Sequence, residues 1–386
     1  MNIIQNKNEI KIHTINAMLA LYCAIIFFGV LSVSMMPFIS MFERVRNFLI
    51  ILLFLISITT QKHSLLQWIW LGIGISICIF SFLFAYSDRT FLLMIIIMFS
   101  MSTVSPEKLL KFSILMILIS LFIICLLALL GIIPNLIFYR NGAIRYSLGT
   151  MYPLTFAGFI FYCCAAGIIL ISNSSSSKNW IINLILILAS VFVYKVNGAR
   201  NDAFNILILI LCRFSKFLPD KINKILTKIS SIIVCSIAFL TIFISNIIPY
   251  TSNLYGKMND LFSGRLQLQY TLFSMYTPKL LEQNIPQNGL GRATTTLMNY
   301  FYIDSSYVRL LFMGGILLFL LFGVTFLLFL LRMINCNMYL IVYIALVIVI
   351  SGITEDAVIN PIMNIFLPLL LMKNDLIVNC NNKLNI

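Results

Sequence analysis

The sequence predicts an all-α, polytopic transmembrane helix bundle, a single integral-membrane domain over residues 1–386, and three observations carry that expectation. Only 10% of the 386 residues are charged and 61% are hydrophobic, against a charged share of about 25% in an ordinary soluble domain. Apolar runs of spanning length, roughly 20 residues, recur from Ile15 almost to the C-terminus, and mean hydropathy is +1.03. Stretches such as 114–133 and 316–331 are apolar almost without interruption, whereas the strands of a membrane barrel would alternate. A disordered tail, a secreted disulfide scaffold and a coiled coil are excluded by the same pattern.

In chain order the candidate spans lie near 15–37, 46–60, 66–86, 90–104, 109–138, 151–171, 180–194, 202–218, 229–249, 307–331, 338–354 and 359–372. The first is read as a retained helix, because no small-residue cleavage site follows its apolar run. The second, fourth, seventh and last are short for a bilayer, and the last carries Pro361 and Pro368. Most connections are brief, and Ser174 to Ser177 reads as a flexible one. The connection over 250–306 is long, as functional loops are. Its Leu266, Leu268, Tyr270, Leu272, Phe273 and Tyr276 stand beside Gln267 and Gln269, a composition that predicts short interfacial helices able to fold back as a lid.

The net charge of +14 is the bias expected of cytoplasmic loops and not a nucleic-acid footprint, since the charges are scattered over many short segments. Arg213, Lys216, Lys221, Lys224 and Lys228 place that segment, and with it both termini, on the cytoplasmic side. On this topology lysines gather inside, while Arg44, Arg46, Arg89, Arg140, Arg145, Arg200, Arg265, Arg292 and Arg309 all lie outside. Snorkelling at helix ends accounts for Arg44, Arg46 and Arg89. The others point to an anionic ligand, because a planar guanidinium is the better fork for phosphate oxygens. The nine cysteines, Cys380 among them, form no CxxC pair, and His13 and His63 are the sole histidines; no metal site and no cofactor is expected.

Four external stretches carry the candidate chemistry. In Arg140 to Pro153, Arg140 and Arg145 precede Gly149 and a proline that can open the sixth helix, an arrangement suited to a lipid head group. In Asn197-Gly198-Ala199-Arg200-Asn201-Asp202, Arg200 opens a helix whose free N–H groups would reinforce its hold on an anion. In Ser263-Gly264-Arg265 and Asn288-Gly289-Leu290-Gly291-Arg292, glycines let backbone and guanidinium reach the same oxygens. In Asp304-Ser305-Ser306-Tyr307-Val308-Arg309, running into Gly314-Gly315, two roles are open for Asp304: helix N-cap or catalytic base.

In this order and sidedness the stretches resemble the superfamily of Wzy-type polysaccharide polymerases and WaaL-type O-antigen ligases. The residues concerned are Arg145-Tyr-Ser-Leu-Gly149 with Pro153, Gly198-Ala-Arg200, Ser263-Gly-Arg265, Asn288-Gly-Leu-Gly291, and Asp304-Ser-Ser-Tyr307 with Gly314 and Gly315. The likeness covers roughly 140–321. The ligases look for a histidine in the large external loop, where this chain has none and carries Asp304 instead, which weighs toward the polymerase branch. Leu154 also stands where many relatives have Asn.

The resemblance implies metal-independent glycosyl transfer between undecaprenyl-pyrophosphate-linked units at the outer face of the cytoplasmic membrane, building O-antigen or capsule. Arg200 and Arg265 would hold the departing pyrophosphate, with Arg292 as a third contact or a clamp on the second lipid. Asp304 would be the base, with Glu282 next and Glu355 or Asp356 as substitutes. Arg140, Arg145, Arg309 and Tyr307 complete the expected substrate surface; Tyr300, Tyr302 and Tyr307 suit either sugar stacking or an interfacial aromatic belt. Membrane lipid, a chain-length regulator and a flippase are the implied partners. The rival readings are a ligase that moves finished glycan to an acceptor, and a transporter or flippase, which would place ionisable groups near the midplane of its spans.

Overall fold

The computed structural model describes residues 2–84, 89–140, 142–171, 179–292 and 300–377. The connector Ser174 to Ser177, Cys380 and positions 293–299 of the long loop lie outside them. The chain is α-helical with the architecture of a multi-pass membrane protein. Among the described residues, seven helices are long and apolar enough to cross a bilayer: Ile12–Ser32, Leu65–Phe84, Pro106–Leu129, Pro153–Ile171, Trp180–Asn197, Asp220–Ile247 and Gly315–Asn335. Their outward faces carry large apolar side chains, among them Leu66, Phe82, Phe122 and Ile232, an exposure suited to hydrocarbon.

The elements are α1 (Asn2–Ser32), α2 (Ile39–Thr60), α3 (Leu65–Phe84), α4 (Arg89–Met101), α5 (Pro106–Leu129), β1 (Ile137–Arg140), β2 (Ala143–Tyr146), α6 (Pro153–Ile171), α7 (Asn179–Phe192), α8 (Arg200–Arg213), α9 (Asp220–Ile247), α10 (Asn253–Leu261), α11 (Arg265–Met275), α12 (Ser306–Phe312), α13 (Gly315–Asn335) and α14 (Tyr339–Ser351). They group into two compact units. One comprises Met1–Gly72, Leu93–Ile206 and Pro361–Ile386; the other comprises Ile73–Leu92 and Leu207–Asn360.

In the first unit, α1 packs on α2 and α5, burying Tyr22, Ile25 and Ile26 with Ile50 and Leu53. The expected span at 359–372 is not a continuous helix: it holds a short 3-10 turn at Leu367–Leu371, because Pro361 and Pro368 remove helix donors. The expected fifth span also stops early. Gly131 takes φ 71 just past α5, and the chain enters the antiparallel pair β1–β2, with Arg140 opposite Ala143. The π turn Val193–Asn197 extends α7 up to Gly198, which ends it at φ 62.

In the second unit, Ile242, Leu272, Ile285, Ile303, Val308, Leu311 and Phe312 form the core. The expected span 307–331 is broken into α12 and α13. The cause is an inserted strap: the N–H groups of Ile316 and Leu317 donate to the carbonyls of Lys279 and Leu280 at 2.8 and 3.2 Å, and Gln283 N–H donates to Met313 at 3.1 Å. These carbonyls satisfy donors that the start of α13 leaves free. Gly315 sits at φ 83, and a Cβ there would lie 2.6 Å from the Leu281 carbonyl. Both sterics and left-handed backbone oppose a side chain, the latter costing about 1–2 kcal/mol. Gly315→Ala is therefore expected to cut the yield of monodisperse protein in detergent, read by size-exclusion chromatography; an unchanged profile would mean the strap can yield.

Candidate active site

The second unit contains a cleft of about 40 Å³, with Arg265, Asp304, Tyr302, Gln269, Thr241 and Thr354 among the side chains on its polar wall, over an apolar floor including Leu272 and Val308. That is room for roughly three water-sized groups.

Local folding sets Arg265 at its edge. Ser252 caps α10 by accepting from Tyr255 N–H at 3.1 Å. After α10, Ser263 and Gly264 are both left-handed, at φ 58 and 86, so the chain reverses and α11 begins on Arg265. A Cβ at Gly264 would meet nothing, so the backbone angle alone selects glycine there. Asn259 Oδ1 accepts from Gln267 N–H at 3.0 Å, and Tyr255 Oη donates to the Leu266 carbonyl at 3.1 Å. Gln269 Nε2 donates to the Thr241 carbonyl at 2.9 Å and also to that of Ile242, tying α11 to α9.

Asp304 approaches from the segment before α12. Its Oδ2 lies 3.2 Å from Arg265 Nε, and the two side chains are 20% and 21% exposed. The contact is an ion pair without an aligned hydrogen bond, since Arg265 Nε has no hydrogen-bond partner among the described residues. Asp304 is not the helix cap that its position invited. Ser305 occupies that position, and Ser306 N–H donates to the carbonyls of Gly352 and Glu355 at 3.0 and 3.1 Å. The carboxylate is thereby turned to Arg265.

Behind the cleft, Arg309 Nη1 meets Asp356 Oδ2 at 2.6 Å, and its Nη2 donates to Gln287 Oε1 at 2.7 Å. Its guanidinium lies over the Tyr302 ring, 4.8 Å from the centroid. Tyr302 Oη donates to the same Asp356 oxygen at 2.7 Å. Burial, then the neighbouring Asp356 charge, pushes the Tyr302 phenol well above its usual range, so it remains a donor at neutral pH.

The Asn288-Gly289-Leu290-Gly291 stretch has a packing role. Asn288 and Phe301 exchange backbone hydrogen bonds at 2.8 and 3.1 Å, and a Cβ on Gly289 would lie 2.8 Å from Cδ2 of Tyr302. The glycine seats the ring. Gly289→Ala is expected to displace the Tyr302 ring and lower the yield of monodisperse protein in detergent, read by size-exclusion chromatography; an unchanged profile would show that the ring can yield.

Other expected site residues lie elsewhere. Glu282 is 1% exposed, with its N–H on Ser81 Oγ at 3.2 Å and its carboxyl beside Cys78; it does not line the cleft. Tyr307 Oη donates to the Val349 carbonyl at 2.6 Å, fastening α12 to α14. Arg292 is exposed at φ 68. In the first unit, Arg145 is 3% exposed. Its Nε donates to the Asn197 carbonyl at 2.9 Å, and its side chain lies where a Cβ on Gly198 would be. Asn197 Nδ2 returns a bond to the Tyr146 carbonyl at 2.9 Å. Arg145 is thus built into the turn before α8. Arg140 ends β1, and Arg200 is the exposed first residue of α8.

Of the expected residues, then, Arg265 and Asp304 meet, with Arg309 behind them. Sequence reasoning left Gln287 unmarked and did not pair Asp356 with Arg309, because that contact joins positions 47 apart and has no local signature. No family model, curated protein or solved structure matches the chain.

Proposed function

We propose that the protein is a metal-independent glycosyltransferase that polymerises repeat units carried on undecaprenyl pyrophosphate at the outer face of the cytoplasmic membrane. In this reading α2 (22 residues), the shorter helices α4, α8 and α14 and the C-terminal region 359–372 also cross, for about twelve spans, with both termini cytoplasmic and 250–306 external.

The observation that carries the proposal is the Arg265–Asp304 pair, partly exposed on a cleft of a multi-pass chain. Arg265 stands at the first position of α11, where a cation opposes the helix dipole and an anion is welcome. A pyrophosphate arriving there offers more charge and more acceptor oxygens than one carboxylate. It displaces Asp304, whose hold on Nε lacks hydrogen-bond alignment. The released carboxylate then accepts the proton of the attacking sugar hydroxyl as the new glycosidic bond forms. The anomeric carbon–oxygen bond breaks, and its electron pair leaves on the pyrophosphate, where Arg265 stabilises the charge. Base and anion contact are thus coupled by one exchange of partners.

Gel profiling of surface glycan from a strain lacking the gene tests the reading. Glycan limited to a single repeat unit is expected. Long unattached glycan would mean a ligase, and accumulation of lipid-linked units on the cytoplasmic face would mean a flippase.

A further inference from the structure

We propose that Arg309 and Asp356 are positioning residues, acting through Tyr302 and Gln287 to hold Asp304 in register with Arg265; this rests on the function just proposed. The sequence assigned Arg309 to the substrate. Its guanidinium is engaged instead on three sides: Nη1 on Asp356, Nη2 on Gln287 and its face on the Tyr302 ring. Each partner does a second job. The Asp356 oxygen that takes Arg309 also accepts Tyr302 Oη. The Gln287 oxygen that takes Arg309 also accepts Ile303 N–H at 3.1 Å.

One guanidinium therefore fixes, through two shared oxygens, the side chain of residue 302 and the backbone of residue 303. On the far side, Ser306 is bonded to Gly352 and Glu355. Asp304 stands between two clamps, and the first of them is organised by Arg309. Displacing a reacting group by about 1 Å can cost roughly a hundredfold in rate, so the network matters to turnover without touching the ligand.

Two substitutions separate positioning from anion contact, because the two roles give Asp356→Ala opposite effects. Undecaprenyl pyrophosphate is titrated into each variant in nanodiscs, and turnover is measured on lipid-linked repeat units extracted from the deletion strain. Arg309→Ala and Asp356→Ala are each expected to lower kcat by about ten- to a hundredfold. Lipid affinity should stay within about twofold, and the double variant should be hardly worse than either single one, as for residues acting as a unit. Tyr302→Phe keeps the ring and loses only the Oη bond, so a smaller kcat loss at unchanged affinity is expected even if the larger changes impair folding. Lost lipid affinity in Arg309→Ala, with Asp356→Ala binding as tightly as wild type or more so, would overturn the proposal, as would full kcat in all three variants. If Arg265→Ala retains full polymer, the parent reading has failed instead; if Arg265→Ala is inactive while these variants turn over normally, only the positioning role has failed.

Discussion

Replacing Arg265 by alanine is expected to abolish polymer in cells while the protein accumulates at its normal level. The two halves of that expectation have separate causes. A guanidinium at the first position of α11 contributes nothing to the helix and opposes its dipole. Its removal takes one cationic partner from Asp304, a carboxylate already partly shared with solvent. Stability should therefore change little, within about 0.5–1 kcal/mol for a partly exposed pair. Function should change much more. Charge-assisted hydrogen bonds to an anion contribute about 1.5–3 kcal/mol each, and the charge on the leaving group grows as the bond breaks. Arg265→Lys should fail as well, because an ammonium keeps the charge and loses the planar fork. A wild-type ladder from either variant, with immunoblots showing equal protein, would remove Arg265 from the chemistry.

The second large effect belongs to Asp304. Asp304→Asn preserves volume and hydrogen-bonding shape and removes the proposed base, so turnover should fall by about a hundred- to ten-thousandfold, the usual scale of general-base catalysis. The loss appears in cells as glycan of one repeat unit. Asp304→Ala should behave the same way. It should not unfold α12, since Ser305 holds the cap position and Ser306 anchors the helix start. Polymer of normal length from Asp304→Ala would mean that the carboxylate serves only as a partner for Arg265, and that the base lies elsewhere.

What could be read from the sequence divides along a physical line. Hydropathy reports transfer free energy, so the long apolar helices were legible, α6 to within two residues, while the ends of α5 and α9 were not. It is blind to backbone geometry. The pair Gly314-Gly315 was in plain view, yet the apolar run across it read as one span; the break appears only once the strap 279–283 is seen to insert its carbonyls there. The hairpin had a local signal that the all-α expectation passed over. Asn141-Gly142 between Ile137-Phe-Tyr-Arg140 and Ala143-Ile-Arg-Tyr146 is the usual dipeptide of a two-residue turn, and the paired strands set Arg145 opposite Phe138.

The candidate site divides in the same way. Ser263-Gly264-Arg265 was recognisable as a glycine beside an arginine, a pairing that lets backbone and guanidinium reach the same oxygens, but the left-handed turn that starts α11 there was not. That Arg265 would face Asp304 was not, because their meeting depends on how α11 and the segment before α12 pack on the same core. Glu282 shows the opposite error. A carboxylate in a long loop looks available for catalysis, but here the loop sets Glu282 against Ser81 and Cys78 of α3 and buries it.

Pyrophosphate is expected to take Arg265 away from Asp304, and titration of undecaprenyl pyrophosphate into three proteins in nanodiscs reads that exchange. Relative to wild type, Asp304→Asn should bind several-fold more tightly, because no anionic competitor occupies the guanidinium, and Arg265→Ala should bind at least about tenfold more weakly, the equivalent of about 1.4 kcal/mol. Equal affinity in all three would mean that the pair has no part in holding the lipid.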